Sequence, residues 1–290
     1  MDRIALIFDF DDTLAPDSTS SFLESIGIDT KDFWNNKVEK LLKDDWDPIP
    51  AYLYKMVEES IAGKNITREK LISYGKKIQF HDGVKRFFGH IKNTFEKKYP
   101  EVSIEYYLIS SGIGEIIRNS EIAKNFTHIW ASDFAYGSNG EITFPKKIVS
   151  FTDKTRYLFQ VSKGIIGDKA FANPFDVNKK VSDDKLRIPF SNMIFTGDGY
   201  TDIPCFSMIR KNGGIPFGVY DKAHRDKFGR AWGFIEEGRV SNLHSANFKK
   251  GSDLCNSIEM ALESICQKIH LKKSIRPSIF CHPVIFFALE

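Results

Sequence analysis

The stretch Arg3-Ile4-Ala5-Leu6-Ile7-Phe8, followed at once by Asp9-Phe10-Asp11-Asp12-Thr13, decides how this chain folds. A continuous apolar run rich in β-formers, closed by acidic residues and a turn, is the pattern of a strand buried on both faces. The same grammar recurs further along. Tyr106-Tyr107-Leu108-Ile109 is followed by Ser110-Ser111-Gly112 and a helical stretch from Ile113. Met193-Ile194-Phe195-Thr196 is followed by Gly197-Asp198-Gly199, and Gly214 to Val219 forms a fourth copy. Each strand leads through small or acidic residues into a helix. The fold class is therefore α/β, a doubly wound, Rossmann-like, mostly parallel sheet. In such sheets ligands bind beyond the carboxyl ends of the strands, so these polar residues converge on one crevice.

Between the first strand and the rest of the sheet the character changes. Phe22, Leu23 and Ile26, then Val38, Leu41 and Leu42, then Tyr52, Met56, Val57 and Ile61 recur at helical spacing with no strand-like run. Thr67 stands where the N-cap of another helix belongs. The expected organisation is a sheet domain made of residues 1–14 and 80–290, with a helical domain of about four helices inserted at 15–79. A smaller insertion at about 126–151 carries the turn Ser138-Asn139-Gly140 between aromatic runs and reads as a hairpin or flap. The apolar tail 275–290 has neither helical nor strand regularity and no assigned role.

Composition narrows the function classes. The 290 residues include 25 Phe, 42% hydrophobic residues and a formal charge of only +3, which excludes a disordered chain and argues against a nucleic-acid partner. Cys205, Cys255, Cys266 and Cys281 lie far apart without a C-x-x-C pair, which argues against a zinc site or a disulfide framework. The opening Met1 to Phe10 lacks the pattern of a signal peptide, and no run reaches the roughly 20 apolar residues of a membrane span. The expectation is a cytoplasmic protein without a membrane partner.

The chemistry sits at the strand ends. Strand alternation puts Asp9 and Asp11 on one side, with the Thr13 hydroxyl near them. Adjacent carboxylates repel unless a cation or a proton is shared. Asp198 and Asp202 add acidic groups at another strand end, flanked by Gly197 and Gly199. Several carboxylates beside glycines suit a hard, oxygen-seeking ion such as Mg²⁺, which keeps waters and takes substrate phosphate as a further ligand. Ser110 offers a hydroxyl and backbone N–H groups to phosphate oxygens. Lys154, ahead of the helical stretch Thr155-Arg156-Tyr157-Leu158-Phe159, is placed to neutralise charge in the same crevice.

Together these residues resemble the four ordered motifs of the haloacid dehalogenase-like superfamily: D-x-D-x-T at Asp9 to Thr13, a strand-end serine, a lysine heading a helix, and G-D-x-x-x-D at Gly197 to Asp202. The resemblance spans Arg3 to about Ile269, and its nearest branch is the phosphoserine-phosphatase-like one with a helical cap at the position of the 15–79 insertion. It implies a Mg²⁺-dependent phosphatase that hydrolyses a small phosphomonoester through an aspartyl-phosphate. By position, Asp9 is the implied nucleophile and Asp11 the implied acid and base. Mg²⁺ lies between Asp9, the Asp11 carbonyl and Asp198, and Asp202 orients the metal's waters or Lys154. Thr13, Ser110, Lys154 and the Ser111-Gly112 backbone are implied to hold the phosphoryl oxygens. A carboxylate at Asp11 sets the chain apart from haloacid-type members, and the absence of D-K-T-G-T sets it apart from transporting ATPases. Ser18 stands where phosphoserine enzymes of the branch place a Glu, nine positions after the nucleophile. Two alternatives stay open: a phosphotransferase or mutase using the same intermediate, and a non-catalytic binding module.

Simpler readings stand beside these. Asp12 and Asp17 are turn formers. Ser111 competes with Ser110, and Lys146, Lys147 and Lys163 compete with Lys154. Trp34, Lys37, Lys40 and Arg68 are unranked substrate contacts in the helical insertion, and His81, His128 and His244 are lone histidines without ligand spacing.

Overall fold

The computed structural model describes residues 1–222 and 232–275. Seven strands, counted among the described residues, form one sheet in the order β4-β3-β2-β1-β5-β6-β7. They are β1 (Asp2–Phe8), β2 (Val102–Ile113), β3 (His128–Tyr136), β4 (Ile142–Lys147), β5 (Met193–Gly197), β6 (Ile215–Tyr220) and β7 (Asn242–Ser245). Every pairing is parallel except β3 with β4. The strand expected from Arg3 to Phe8 is the centre of the sheet. Its neighbours align their carboxyl ends with it, since Phe8 sits opposite Leu108 on β2 and Thr196 on β5. That register places Asp9, Ser110 and Asp198 side by side just past the last ladder positions.

Strand alternation distributes β1 between two cores. Ile4, Leu6 and Phe8 face a core shared with helices α6 (Val84–Lys98) and α11 (Asp253–Ile275). Ala5 and Ile7 face a core shared with helices α8 (Phe151–Lys163) and α10 (Ile203–Lys211). Both faces are covered, as a parallel sheet requires, because helical crossovers return the chain over the sheet. Phe8 packs edge-on against Phe87, Phe88, Phe126 and Phe248, the favoured aromatic geometry.

Residues 15–79 contain five helices, α1 (Ser18–Ser25), α2 (Thr30–Asp32), α3 (Glu39–Lys43), α4 (Pro48–Glu59) and α5 (Arg68–Gly75), with π-helical turns at Phe33–Val38 and Ser60–Lys64. Asp17 caps α1 by accepting from the Ser20 N–H, and Thr67 caps α5 by accepting from the Lys70 N–H. The apolar faces of these helices, including Phe22, Leu23, Leu53 and Met56, join the same core as α6 and α11.

The 126–151 segment was expected to be a hairpin or flap. A hairpin forms, but its first strand is hydrogen-bonded in parallel to β2 and so belongs to the main sheet. Trp130, Ala131 and Phe134 are buried in that position, which gives β3 more burial than a free hairpin allows. The hairpin tip also binds the helical insertion: Arg68 donates its N–H to the Gly140 carbonyl and Ile142 donates to the Ile66 carbonyl. Strand β7 went unread in the sequence because Asn242–Ser245 is short and polar. The tail expected at 275–290 lies outside the described residues beyond Ile275. Among the described residues no helix is long and apolar enough to cross a membrane.

Candidate active site

A cavity of about 290 Å³ opens at the carboxyl ends of β1, β2 and β5. The sheet domain contributes Asp9, Asp11, Asp12, Ser110, Ser111, Gly112, Asp198 and the Gly199-Tyr200-Thr201 turn to its wall. The helical insertion contributes Asp17, Thr19, Trp34 and Tyr52. Thr13, Lys154 and Asp202 do not border the cavity; they lie fully buried behind the bordering carboxylates.

The carboxylate oxygens of Asp9, Asp198 and Asp202 lie within 4.8 Å of one another. Three acidic groups this close are sustainable because Lys154 is set among them. Its Nζ stands 3.0 Å from Asp9 Oδ2 and 2.7 Å from Asp202 Oδ1, and donates to Thr201 Oγ1 at 3.0 Å. Helix α8 delivers this lysine from its first turn, which Ser150 and Asp153 cap reciprocally. Burial alone would pull the Lys154 ammonium down, but the charges of Asp202 and Asp9 outweigh it and hold the group above its ordinary value. Of the competing lysines, Lys163 donates to the carbonyls of Val177 and Lys179, Lys147 lies over the Tyr157 ring, and Lys146 is exposed.

Each carboxylate has its own surroundings. Asp9 is held by the Phe10 N–H at 2.7 Å. Asp11 turns away from the cluster and accepts the Ser18 N–H at 2.8 Å; burial, then the charge of Asp17, pushes its carboxyl up to about 8. Burial and the nearby charge of Asp9 push Asp198 well above the carboxylate range. Asp202 accepts the Gly199 N–H, and burial raises it to about 7 against the opposing pull of Lys154. Thr13 Oγ1 donates to Asp198 Oδ1 across 3.5 Å, a long contact.

All of the expected strand-end residues are brought to this one place, with two refinements. The Asp11 side chain is not part of the close trio and instead accepts the Ser18 N–H. Ser110 and Ser111 both border the cavity: Ser110 Oγ accepts the Gly112 N–H at 3.0 Å, and Ser111 Oγ is buried with no hydrogen-bond partner among the described residues. Of Trp34, Lys37, Lys40 and Arg68, the substrate contacts expected in the insertion, Trp34 alone borders the cavity. Lys37 pairs with Glu59 and Asp32, Arg68 pairs with Glu115 over Tyr136, and Lys40 is exposed. Tyr52 was missed, because in sequence it is one apolar-face residue of α4. Its hydroxyl donates to the Ser111 carbonyl at 2.7 Å, and its ring lies 5.7 Å from Trp34. Asp12 adopts φ 54° and Asp17 caps α1, in keeping with turn roles, yet both also border the cavity.

The oxygen-only donor set of Asp9, Asp198 and Asp202, at this spacing, fits a hard divalent cation. Comparison with known proteins gives the fold a name. No family model matches the chain. An uncharacterised protein of Borreliella burgdorferi is 27% identical over 293 residues, covering 92% of this chain and 98% of the relative. Phosphoserine phosphatase in its apo form superposes with TM-score 0.53 at 13% identity, covering 83% of this chain and 93% of that one. A phospho-aspartyl intermediate analogue of phosphoserine phosphatase superposes with TM-score 0.50 at 14% identity, covering 90% and 99%. The chain shares the fold of phosphoserine phosphatase, a mostly parallel α/β sheet covered by helices.

Proposed function

We propose that the protein is a phosphatase that hydrolyses a small phosphomonoester through an aspartyl-phosphate on Asp9. The observation that carries this reading is the buried Lys154 paired with Asp9 and Asp202 beneath a cavity that Asp9, Asp11 and Asp198 border. In the first step an Asp9 carboxylate oxygen attacks phosphorus, the bond from phosphorus to the ester oxygen breaks, and Asp11 passes its proton to that leaving oxygen. In the second step Asp11 takes a proton from water, the water oxygen attacks phosphorus, and the bond to Asp9 breaks to release phosphate. Lys154 holds Asp9 in place, Asp202 holds Lys154, and the Ser110, Ser111 and Gly112 strand end presents hydroxyl and N–H groups to the phosphoryl oxygens. Asp9, the Asp11 carbonyl and Asp198 would hold Mg²⁺, with Asp202 supporting them, and the chemistry it supplies when bound is charge neutralisation at those oxygens.

Residues 15–79 act as a cap in this reading, and Trp34 and Tyr52 form the side of the cavity that selects the substrate. A cavity of this size suits a small phosphorylated metabolite. The Ser18 side chain is buried and has no carboxylate to offer a substrate amine, which argues for a substrate other than phosphoserine.

The test is phosphate release from p-nitrophenyl phosphate and a panel of metabolite phosphates, with Mg²⁺ or with EDTA. Metal-dependent release that disappears in Asp9→Asn, while that variant keeps the parent circular dichroism and a cooperative unfolding transition, is expected. Full turnover in Asp9→Asn overturns the mechanism.

A further inference from the structure

Away from the candidate active site, helices α6 and α11 bring together His90, Cys255 and Glu259, one ligand atom from each lying within 4.8 Å of the others. We propose that these three side chains form a binding site for a borderline transition-metal ion, with Zn²⁺ the best fit. Cys255 and Glu259 are four residues apart on α11, so they share one face of the helix. His90 approaches from α6, 169 positions from Glu259. A thiolate, an imidazole and a carboxylate are the donor types zinc takes, and three protein ligands leave a fourth position open.

The two separations from Glu259 Oε1 bracket those a bound ion sets, and Cys255 Sγ and the His90 ring lie within 4.8 Å. Zinc bond lengths place tetrahedral donors about 3.3–3.5 Å apart. Cys255 Sγ lies 3.6 Å from Glu259 Oε1, while His90 Nε2 lies 2.7 Å from the same oxygen and must withdraw by roughly half an ångström. Cys255 is fully buried, and His90 and Glu259 are half-buried. His90 also lines a separate cavity of about 420 Å³ between the Gln79–Phe87 segment and the Phe248–Lys250 loop, so one of the three side chains borders open space. That cavity shares no lining residue with the candidate active site. On binding, the Cys255 S–H bond breaks, its proton leaves to solvent, and sulfur bonds the ion. A carboxylate beside a buried thiol opposes thiolate formation unless a cation offsets both charges.

The alternative is a plain hydrogen-bonded cluster, with Glu259 accepting from His90 and from the Cys255 thiol. Anaerobic titration of the full chain with Co²⁺ separates the two. The sulfur-to-cobalt charge-transfer band is expected to saturate at one equivalent and to bleach when Zn²⁺ displaces cobalt. The all-oxygen cluster around Asp9 cannot produce that band, so it is expected unchanged in Asp9→Asn and in Cys266→Ser, and lost in Cys255→Ser. A competition titration with a chromophoric chelator is expected to show His90→Ala and Glu259→Gln weakening Zn²⁺ binding by at least the roughly 10–100-fold that loss of even an outer-shell partner brings. No cobalt band, a band that survives Cys255→Ser, or unchanged zinc affinity in both His90→Ala and Glu259→Gln overturns the site. The carboxylate-cluster activity and this site are read by different signals, so either stands without the other.

Discussion

Replacing Lys154 with Met tests the electrostatic core of the candidate site. Methionine keeps most of the buried stem and removes the charge. The ammonium stands 3.0 Å from Asp9 and 2.7 Å from Asp202, with all of its side chain inaccessible. At an effective dielectric of about 20, each contact is roughly 5–6 kcal/mol of attraction. Desolvating the ammonium offsets several kcal/mol of that, so removing one member of such a buried pair costs about 3–5 kcal/mol. The loss depends on pH because of Asp202, whose carboxyl burial raises to about 7. Between the unfolded value near 4 and that folded value the native state binds more protons than the unfolded one, so stability falls as pH rises through this window. Without Lys154 the carboxyl is raised further, so the loss is larger at pH 8 than at pH 5.5. Urea unfolding followed by tryptophan fluorescence in EDTA measures it. The expected result is a loss of about 3–5 kcal/mol at pH 8, a smaller one at pH 5.5, and partial recovery on adding Asp202→Asn. A Lys154→Met protein within about 1 kcal/mol of the parent at pH 8, or one whose loss does not change with pH, would falsify the reasoning.

Two further outcomes follow from single contacts. At Gly112 an added Cβ would overlap Asp11 Oδ2, so on the proposed mechanism Gly112→Ala is expected to displace that carboxylate and cut phosphate release at least about tenfold, a barrier increase of roughly 1.4 kcal/mol; unchanged kcat/KM would show that Asp11 needs no such positioning. Burial, with the charges of Lys147 and Arg118, holds the His128 imidazole down to about 4. The unfolded chain therefore takes up that proton first, and stability is lost as pH falls from about 6.5 towards 4. Because the imidazole is partly exposed, the contribution is about 1–2 kcal/mol, and His128→Phe is expected to flatten the acid limb of a stability profile measured by urea unfolding.

The parts of this protein legible in the sequence are those carried by local pattern. The apolar run from Ile4 to Phe8 is buried whichever neighbours it finds, so it announced a central strand, and the acidic break at Asp9 announced its carboxyl end. The Thr67 cap was readable for the same reason, since a cap is a contact between residues three apart. Lys154 was placed by its position ahead of a helix, although its partners Asp9 and Asp202 come from two other strand ends.

Tertiary structure alone decided the rest. The β3–β4 hairpin joined the sheet because burying Trp130 and Phe134 beside β2 outweighed a free turn, a comparison of packing that turn residues do not encode. Tyr52 became a cavity residue through a hydrogen bond to Ser111, 59 positions away. Cysteine spacing along the chain says nothing of the cluster of His90, Cys255 and Glu259, whose members meet only when α6 and α11 pack on one face of the sheet. Sequence determines which groups lie at strand ends and helix caps, because those contacts are local. Which distant groups meet is set by the register and twist of the assembled sheet, and by the helices that cover it.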